Sequence, residues 1–190
     1  MLTIPMRLWR ASVHRTVAAL AVLSFALSPA VFSPAQAQTE NQAPEMQTEA
    51  IQDWNLQCQP GPEGENVCQL FQEASLEGTE RPILRALVGY RTPNSDTLTL
   101  VLVLPLGVSL SKGAFMQIDS NQPVAVPFER CEPGGCLIFL AMNDSLLQAL
   151  KGGINARLIF HDTQHRRGAA TISLRGFTAG IDRLSANKPG

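Results

Sequence analysis

VLVLPLGVSLSKGAFMQIDSNQPVAVPFERCEPGGCLIFL, residues 101–140, reads as short apolar strands cut by Pro-Leu-Gly, Ser-Lys-Gly and Ser-Asn-Gln-Pro turns, and it closes on a Cys-Glu-Pro-Gly-Gly-Cys clasp. In the clasp, Pro133 presets the first central position of a turn, and Gly134 is free to take the positive φ that a type II turn needs at the second. Cys131 and Cys136 then face each other across a hairpin. Facing residues of an antiparallel pair sit about 4.5–5.5 Å apart, within reach of a disulfide. A bridge that clips a β-turn implies an all-β core.

The start of the chain has a different character. Arg7, Arg10 and Arg15 precede an apolar run at 17–27, and Ala35-Gln36-Ala37 follows as a small-residue cleavage signal. Residues 1–37 therefore read as a secretory signal peptide, cut between Ala37 and Gln38. The apolar run is shorter than the ~20 residues a spanning helix needs, so the chain is not expected to span a membrane. The n-region lacks a twin-arginine pair and no cysteine lies near the cleavage signal, which favours the general secretory route and a periplasmic or secreted product. Without the leader, 12 Lys and Arg remain against 16 Asp and Glu, a net charge of −4. Such a chain has no basic stripe for phosphate neutralisation, so nucleic acid is not an expected partner.

Four cysteines in an exported chain imply two disulfides, and local geometry favours Cys131–Cys136 and hence Cys58–Cys68. Loop closure gives about 2 and 2.7 kcal/mol for these short loops. Neither spacing is the C-x2-C of a zinc ribbon or the C-x-x-C of a redox site, so no metal and no cofactor is expected.

Residues 38–50 (QTENQAPEMQTEA) are polar and without an apolar period, and they read as a disordered lead-in. The domain is expected over 51–185, followed by a tail at 186–190. In it, Trp54, Leu56 and Cys58 alternate with polar residues as in a half-buried strand, and the Gly-Pro-Glu-Gly turn at 61–64 returns the chain to a second alternating run around Cys68. Trp54 is the natural core anchor of that hairpin. The runs 82–90 and 98–104 follow, and the near-unbroken LTLVLVL of the latter suggests a central strand covered on both faces. Asn143 or Asp144 can cap a helix whose Leu146, Leu147 and Leu150 form a stripe, with Gly152 at a left-handed C-terminal position. A last hairpin spans 155–161 and 169–174 around HDTQHRRG, and 177–184 suggests a closing helix.

Motifs that would carry chemistry are sparse. Ser109 and Lys112 have the S-x-x-K spacing of penicillin-binding enzymes, but Gly113 and strand-like flanks would splay the two groups, and no K-T-G or S-D-N partner occurs. His161, Asp162 and His165 form a histidine-acid cluster that suits zinc only on a helix; at a hairpin tip it is a solvated turn. Together with Arg166 and Arg167, His161 and His165 make a small basic tip able to touch an acidic surface. Asp119, before Ser-Asn-Gln-Pro, suits a turn-capping role. Phosphate loop, nucleophile elbow and H-E-x-x-H motifs are all missing, so no catalytic residue is assigned.

Trp54, Cys58 and Cys68, then Leu104-Pro105-Leu106-Gly107-Val108, Gly113 with Ile118-Asp119, Pro127-Phe128, Cys131 and Gly135-Cys136, and finally Ser173-Leu174-Arg175-Gly176-Phe177 resemble the invasion-associated locus B family. The likeness runs through nearly the whole mature domain in order. It implies a β-rich periplasmic or envelope-associated protein of the kind exported by alphaproteobacteria, linked in pathogenic members to entry into host red cells. It implies no established catalytic residues. The expectation is an antiparallel β-sandwich or partly open barrel with one or two short peripheral helices. Such a module binds an envelope or host-surface protein, or another surface component, through loops carried on its sheets. A small periplasmic hydrolase or transferase is the rival class. An exposed apolar patch would mark the binding module, and an enclosed pocket with displaced titratable groups the enzyme.

Overall fold

A computed structural model describes residues 46–62, 64–92 and 95–188. The signal peptide, its cleavage point at Ala37 and Gln38, and lead-in residues 38–45 lie outside the described residues. Those described all belong to one compact unit, Asn41–Gly190.

Among the described residues eleven strands form two antiparallel sheets. The larger has seven, in the order β1 (Gln47–Ile51), β2 (Trp54–Pro60), β3 (Asn66–Ser75), β4 (Pro82–Tyr90), β5 (Leu98–Leu104), β9 (Gly135–Ala141) and β8 (Arg130–Glu132). The smaller has four, in the order β11 (Arg167–Ser173), β10 (Asn155–His161), β6 (Ala114–Ile118) and β7 (Val124–Val126). The inward faces interlock through alternate residues, Leu70, Val88, Leu102 and Ile138 from one sheet and Met116, Leu158 and Ala170 from the other, all buried. The result is an open β-sandwich which, among the described residues, carries two helices, α1 (Asp144–Gly152) and α2 (Phe177–Ala186). No helix among the described residues is long and apolar enough to cross a membrane.

One flank of the sandwich is stitched. The tip following β3 reaches β11 through a bridge between Leu76 and Ala170, and Glu77 N donates to Ala169 O at 2.9 Å. Arg157 clamps Glu77 there with two 2.6 Å hydrogen bonds, and the Thr171 hydroxyl adds a third. On the opposite flank β7 ends its sheet and has β6 as its strand partner.

Both disulfides are local. Cys58 pairs with Cys68 across the β2–β3 hairpin, and Cys131 with Cys136 across the β8–β9 hairpin, each between residues in register.

Several expectations are corrected. Residues 47–50, assigned to the lead-in, form most of β1. Their side chains are exposed, so no apolar period announces the strand, and its stability comes from the ladder with β2. In the clasp the positive φ falls on Gly135 (+140°) rather than Gly134, because a Cβ at Gly135 would stand 2.4 Å from Leu104 O as β9 closes on β5. No second sheet covers the outward face of strand β5: Leu100, Leu102 and Leu104 are buried inward, while on the other face Val101 and Val103 are half-buried and Thr99 is buried opposite Gly89. Helix α1 is capped by Asn143, whose Oδ1 accepts from Leu146 N at 2.9 Å, but it ends at Gly152 with Gly153 extended (φ −84°) and no left-handed cap. The closing helix runs through Ala186, one residue into the assigned tail, and β11 begins at Arg167 rather than 169.

Candidate functional site

The residues singled out at the last hairpin do not converge on a shared centre. His161 ends β10 half-buried, and its carbonyl accepts from Ser109 N at 2.7 Å. Asp162 holds the turn: one carboxylate oxygen accepts from the Gln164 and Arg166 amides at 2.8 and 2.9 Å, and the other from Arg166 Nε at 2.6 Å. Those bonds, the Arg166 amide first, pull the Asp162 carboxyl below its ordinary value. His165 is exposed with φ +62°, and Arg167 is exposed at the start of β11. Among the described residues no three His, Cys, Asp or Glu side chains are grouped to hold a metal ion.

The other candidates also resolve into local roles. Ser109 Oγ lies 3.4 Å from Ser111 Oγ, while Lys112 ends an exposed 3-10 turn (Leu110–Lys112). Asp119 has φ +50°, and its carboxylate receives the Ile154 and Asn155 amides, which anchors the start of β10 to the end of β6.

Ser173-Leu174-Arg175-Gly176-Phe177 is likewise a lock. The Ser173 carbonyl accepts from the Trp54 indole and from the Gln72 side chain, and Gln72 Oε1 receives the Ser173 amide at 2.8 Å. Ser173 Oγ and both ends of the Arg175 fork bond Asp53, at 2.6–3.0 Å. Arg175 first, and Ser173 after it, hold the Asp53 carboxyl below its ordinary value. At Gly176 (φ +88°) a Cβ would stand 2.4 Å from Ile51 O, so the chain passes hard against the β1–β2 turn. Buried Phe177 then meets Trp54 edge-on, with ring centroids 5.2 Å apart.

What remains is a groove on the unstitched flank. Met116 and Ile118 of β6, Val124 and Val126 of β7, Leu140 of β9 and Leu146 and Ala149 of α1 line about 390 Å³, with Asn121, Gln122, Asn143 and Ser145 among the polar lining. Among the described residues no ionisable side chain lines it. Val124 is 64% exposed although it stands on the same face as buried Met116, its registered partner. An edge strand presents unpaired backbone donors and acceptors on its free side. The groove thus joins apolar walls to a free strand edge. No sequence motif marks it, because its walls come from four separate segments; the signal available was the VAV run after the Ser-Asn-Gln-Pro turn.

A roomier cleft of about 560 Å³ lies beside α1 and α2, near Asp96, Asp144, Lys151 and Asp182. Lys188 bonds Asp96 and lowers its carboxyl, and Lys151 pairs with Asp182. Among the described residues, the acids whose titration is displaced (Asp53, Glu77, Asp96 and Asp162) are all displaced downward. A general acid needs the opposite displacement.

Fold and surface together define a disulfide-clipped, open β-sandwich with an apolar groove along one free edge. The profile of the Invasion associated locus B (IalB) protein family matches residues 54–185, and the chain belongs to that family. It is 32% identical over 139 residues to Invasion protein B homologs of Brucella abortus, strain 2308 and biovar 1 strain 9-941, covering 73% of this chain and 79% of each relative. Among solved structures it resembles invasion associated protein B from Bartonella henselae, with a TM-score of 0.62 and 23% identity, covering 74% of this chain and 95% of that one. That likeness speaks to the fold.

Proposed function

We propose that this chain is an exported, non-catalytic binding module of the bacterial envelope, which engages an envelope or host-surface protein through the groove between β7 and α1. The observation that carries this reading is the pairing of an apolar, uncharged groove with a free strand edge. An extended segment laid there gains backbone hydrogen bonds from β7 and burial of alternate side chains against Leu140 and Leu146. The leader-like start and two disulfides support export. The names of the relatives supply the link to invasion, and the groove, whose lining among the described residues holds no ionisable side chain, offers no acid or base for the hydrolase or transferase alternative.

A photo-crosslinking residue at position 124, on protein made in the native cell, tests the reading. A discrete crosslinked partner, lost on Leu146→Glu, is the expected result. Crosslinking no greater than from an exposed position on the other sheet, such as 73, would overturn it. N-terminal sequencing of the exported material should begin at or near Gln38; an intact leader would overturn the assigned location.

A further inference from the structure

The outer face of the seven-stranded sheet is not the polar surface that alternation ordinarily leaves towards water. Phe71, Leu87, Val101 and Phe139 stand in register across four neighbouring strands, each half-buried, and no second layer of described residues covers them. At strand spacings of about 4.8 Å this apolar row is roughly 14 Å long. In the next row Gly89 faces Thr99, and the missing side chain opens a trough of about 200 Å³ whose lining includes Val67, Leu87 and Val101.

Gln69, Tyr90, Arg91 and Thr99 give this trough its polar lining, and two of them are free to meet a ligand. Thr99 is 6% exposed, and its hydroxyl has no hydrogen-bond partner among the described residues. Arg91, on the rim, lies over the Phe139 ring at 5.1 Å and has no carboxylate partner among the described residues. Its neighbour Arg130 also stacks on Phe139 but is neutralised by Glu129 and Glu132. An exposed cation without a carboxylate partner, a hydroxyl free to donate and a narrow apolar floor match an anionic head joined to a single hydrocarbon chain. A peptide strand finds no purchase here, because β4 and β5 are paired along both edges.

We propose that this trough binds a single-chain anionic amphiphile, with its acidic group between Arg91 and Thr99 and its chain on Leu87 and Val101. Calorimetric titration of the purified protein with decanoate tests it, with decanol as the headgroup control. Decanoate is expected to saturate one site, with decanol at least tenfold weaker. Arg91→Ala should cost about tenfold, and Thr99→Val a severalfold loss. Arg81→Ala, which removes the same charge at another hollow on this face, should change affinity less than twofold. Gly89→Val should abolish binding, and Gly89→Ala, whose Cβ meets nothing closer than 3.6 Å, should weaken it while leaving the thermal midpoint near that of the parent. Equal affinity for decanoate and decanol, unchanged binding in Gly89→Val, or retention by anionic phospholipid vesicles with no decanoate binding would each overturn the proposal.

Discussion

The indole N–H of Trp54 donates to the Ser173 carbonyl at 2.8 Å, joining the first core residue of β2 to the last residue of β11 across 119 positions. The bond makes the two ends of the domain interdependent, since the same carbonyl also receives Gln72 and the same residue carries Asp53. Trp54→Phe keeps most of the apolar volume and removes the donor. It should lower stability by about 1–3 kcal/mol in urea denaturation, the cost of a weakened buried network. Trp54→Ala, which also opens a cavity against Phe177, should cost about 3–5 kcal/mol. A Trp54→Phe variant as stable as the parent would show that the bond adds nothing.

The clasp turn offers a paired test. Gly135 has φ +140° and would drive a Cβ into Leu104 O, whereas a Cβ at Gly134 meets nothing within 4 Å. Gly135→Ala should therefore destabilise by more than about 2 kcal/mol, and Gly134→Ala should stay within about 0.5 kcal/mol of the parent. Equal thermal midpoints for the two variants would remove the β9–β5 closure as the reason for the glycine.

Opening the disulfides should weaken the domain without dissolving its core. Each closes a short loop, worth about 2 to 2.7 kcal/mol. The Cys131→Ser/Cys136→Ser double variant should shift the urea midpoint down and leave the far-ultraviolet spectrum unchanged. Loss of the β-sheet signal would mean that the clasp, and not the sandwich interior, holds β8 and β9 in place.

Acid should act through the paired carboxylates. Arg157, first among its partners, lowers Glu77 from an ordinary 4.5, and Arg175 lowers Asp53 from 3.8. A group depressed in the folded state contributes its full stabilisation above the unfolded value and loses it as pH falls through the folded one. Stability should thus be flat above about pH 5 and decline below it. Glu77→Gln should flatten the slope just below pH 4.5 at a cost under about 1 kcal/mol at neutral pH, because the pair is partly exposed. A parent whose stability rises on acidification through this range would contradict the assignment.

Turn chemistry made much of the sandwich legible: Pro105, the Ser-Asn-Gln-Pro run and the Pro133-Gly134 clasp all fall between elements, and the alternation around Trp54 and Cys68 marks their strands. Strand β1 was not legible, because a strand with exposed side chains has no apolar period and is held by backbone pairing. LTLVLVL misled for a related reason. Its outward valines are shielded beside Phe71, Leu87 and Phe139 rather than by another sheet, and arginine stacking on aromatic rings has no local sequence signature. The groove, assembled from residues 116 to 149, needed the tertiary arrangement before its walls could be seen together.

The Leu76–Ala170 bridge ties one flank of the sandwich together, while on the other flank, among the described residues, β7 is held by β6 alone as an edge strand. Thermal breathing should therefore be lopsided: the amides of Ala169 and Ala170 exchange with solvent hydrogen slowly, those of Val124 to Val126 quickly.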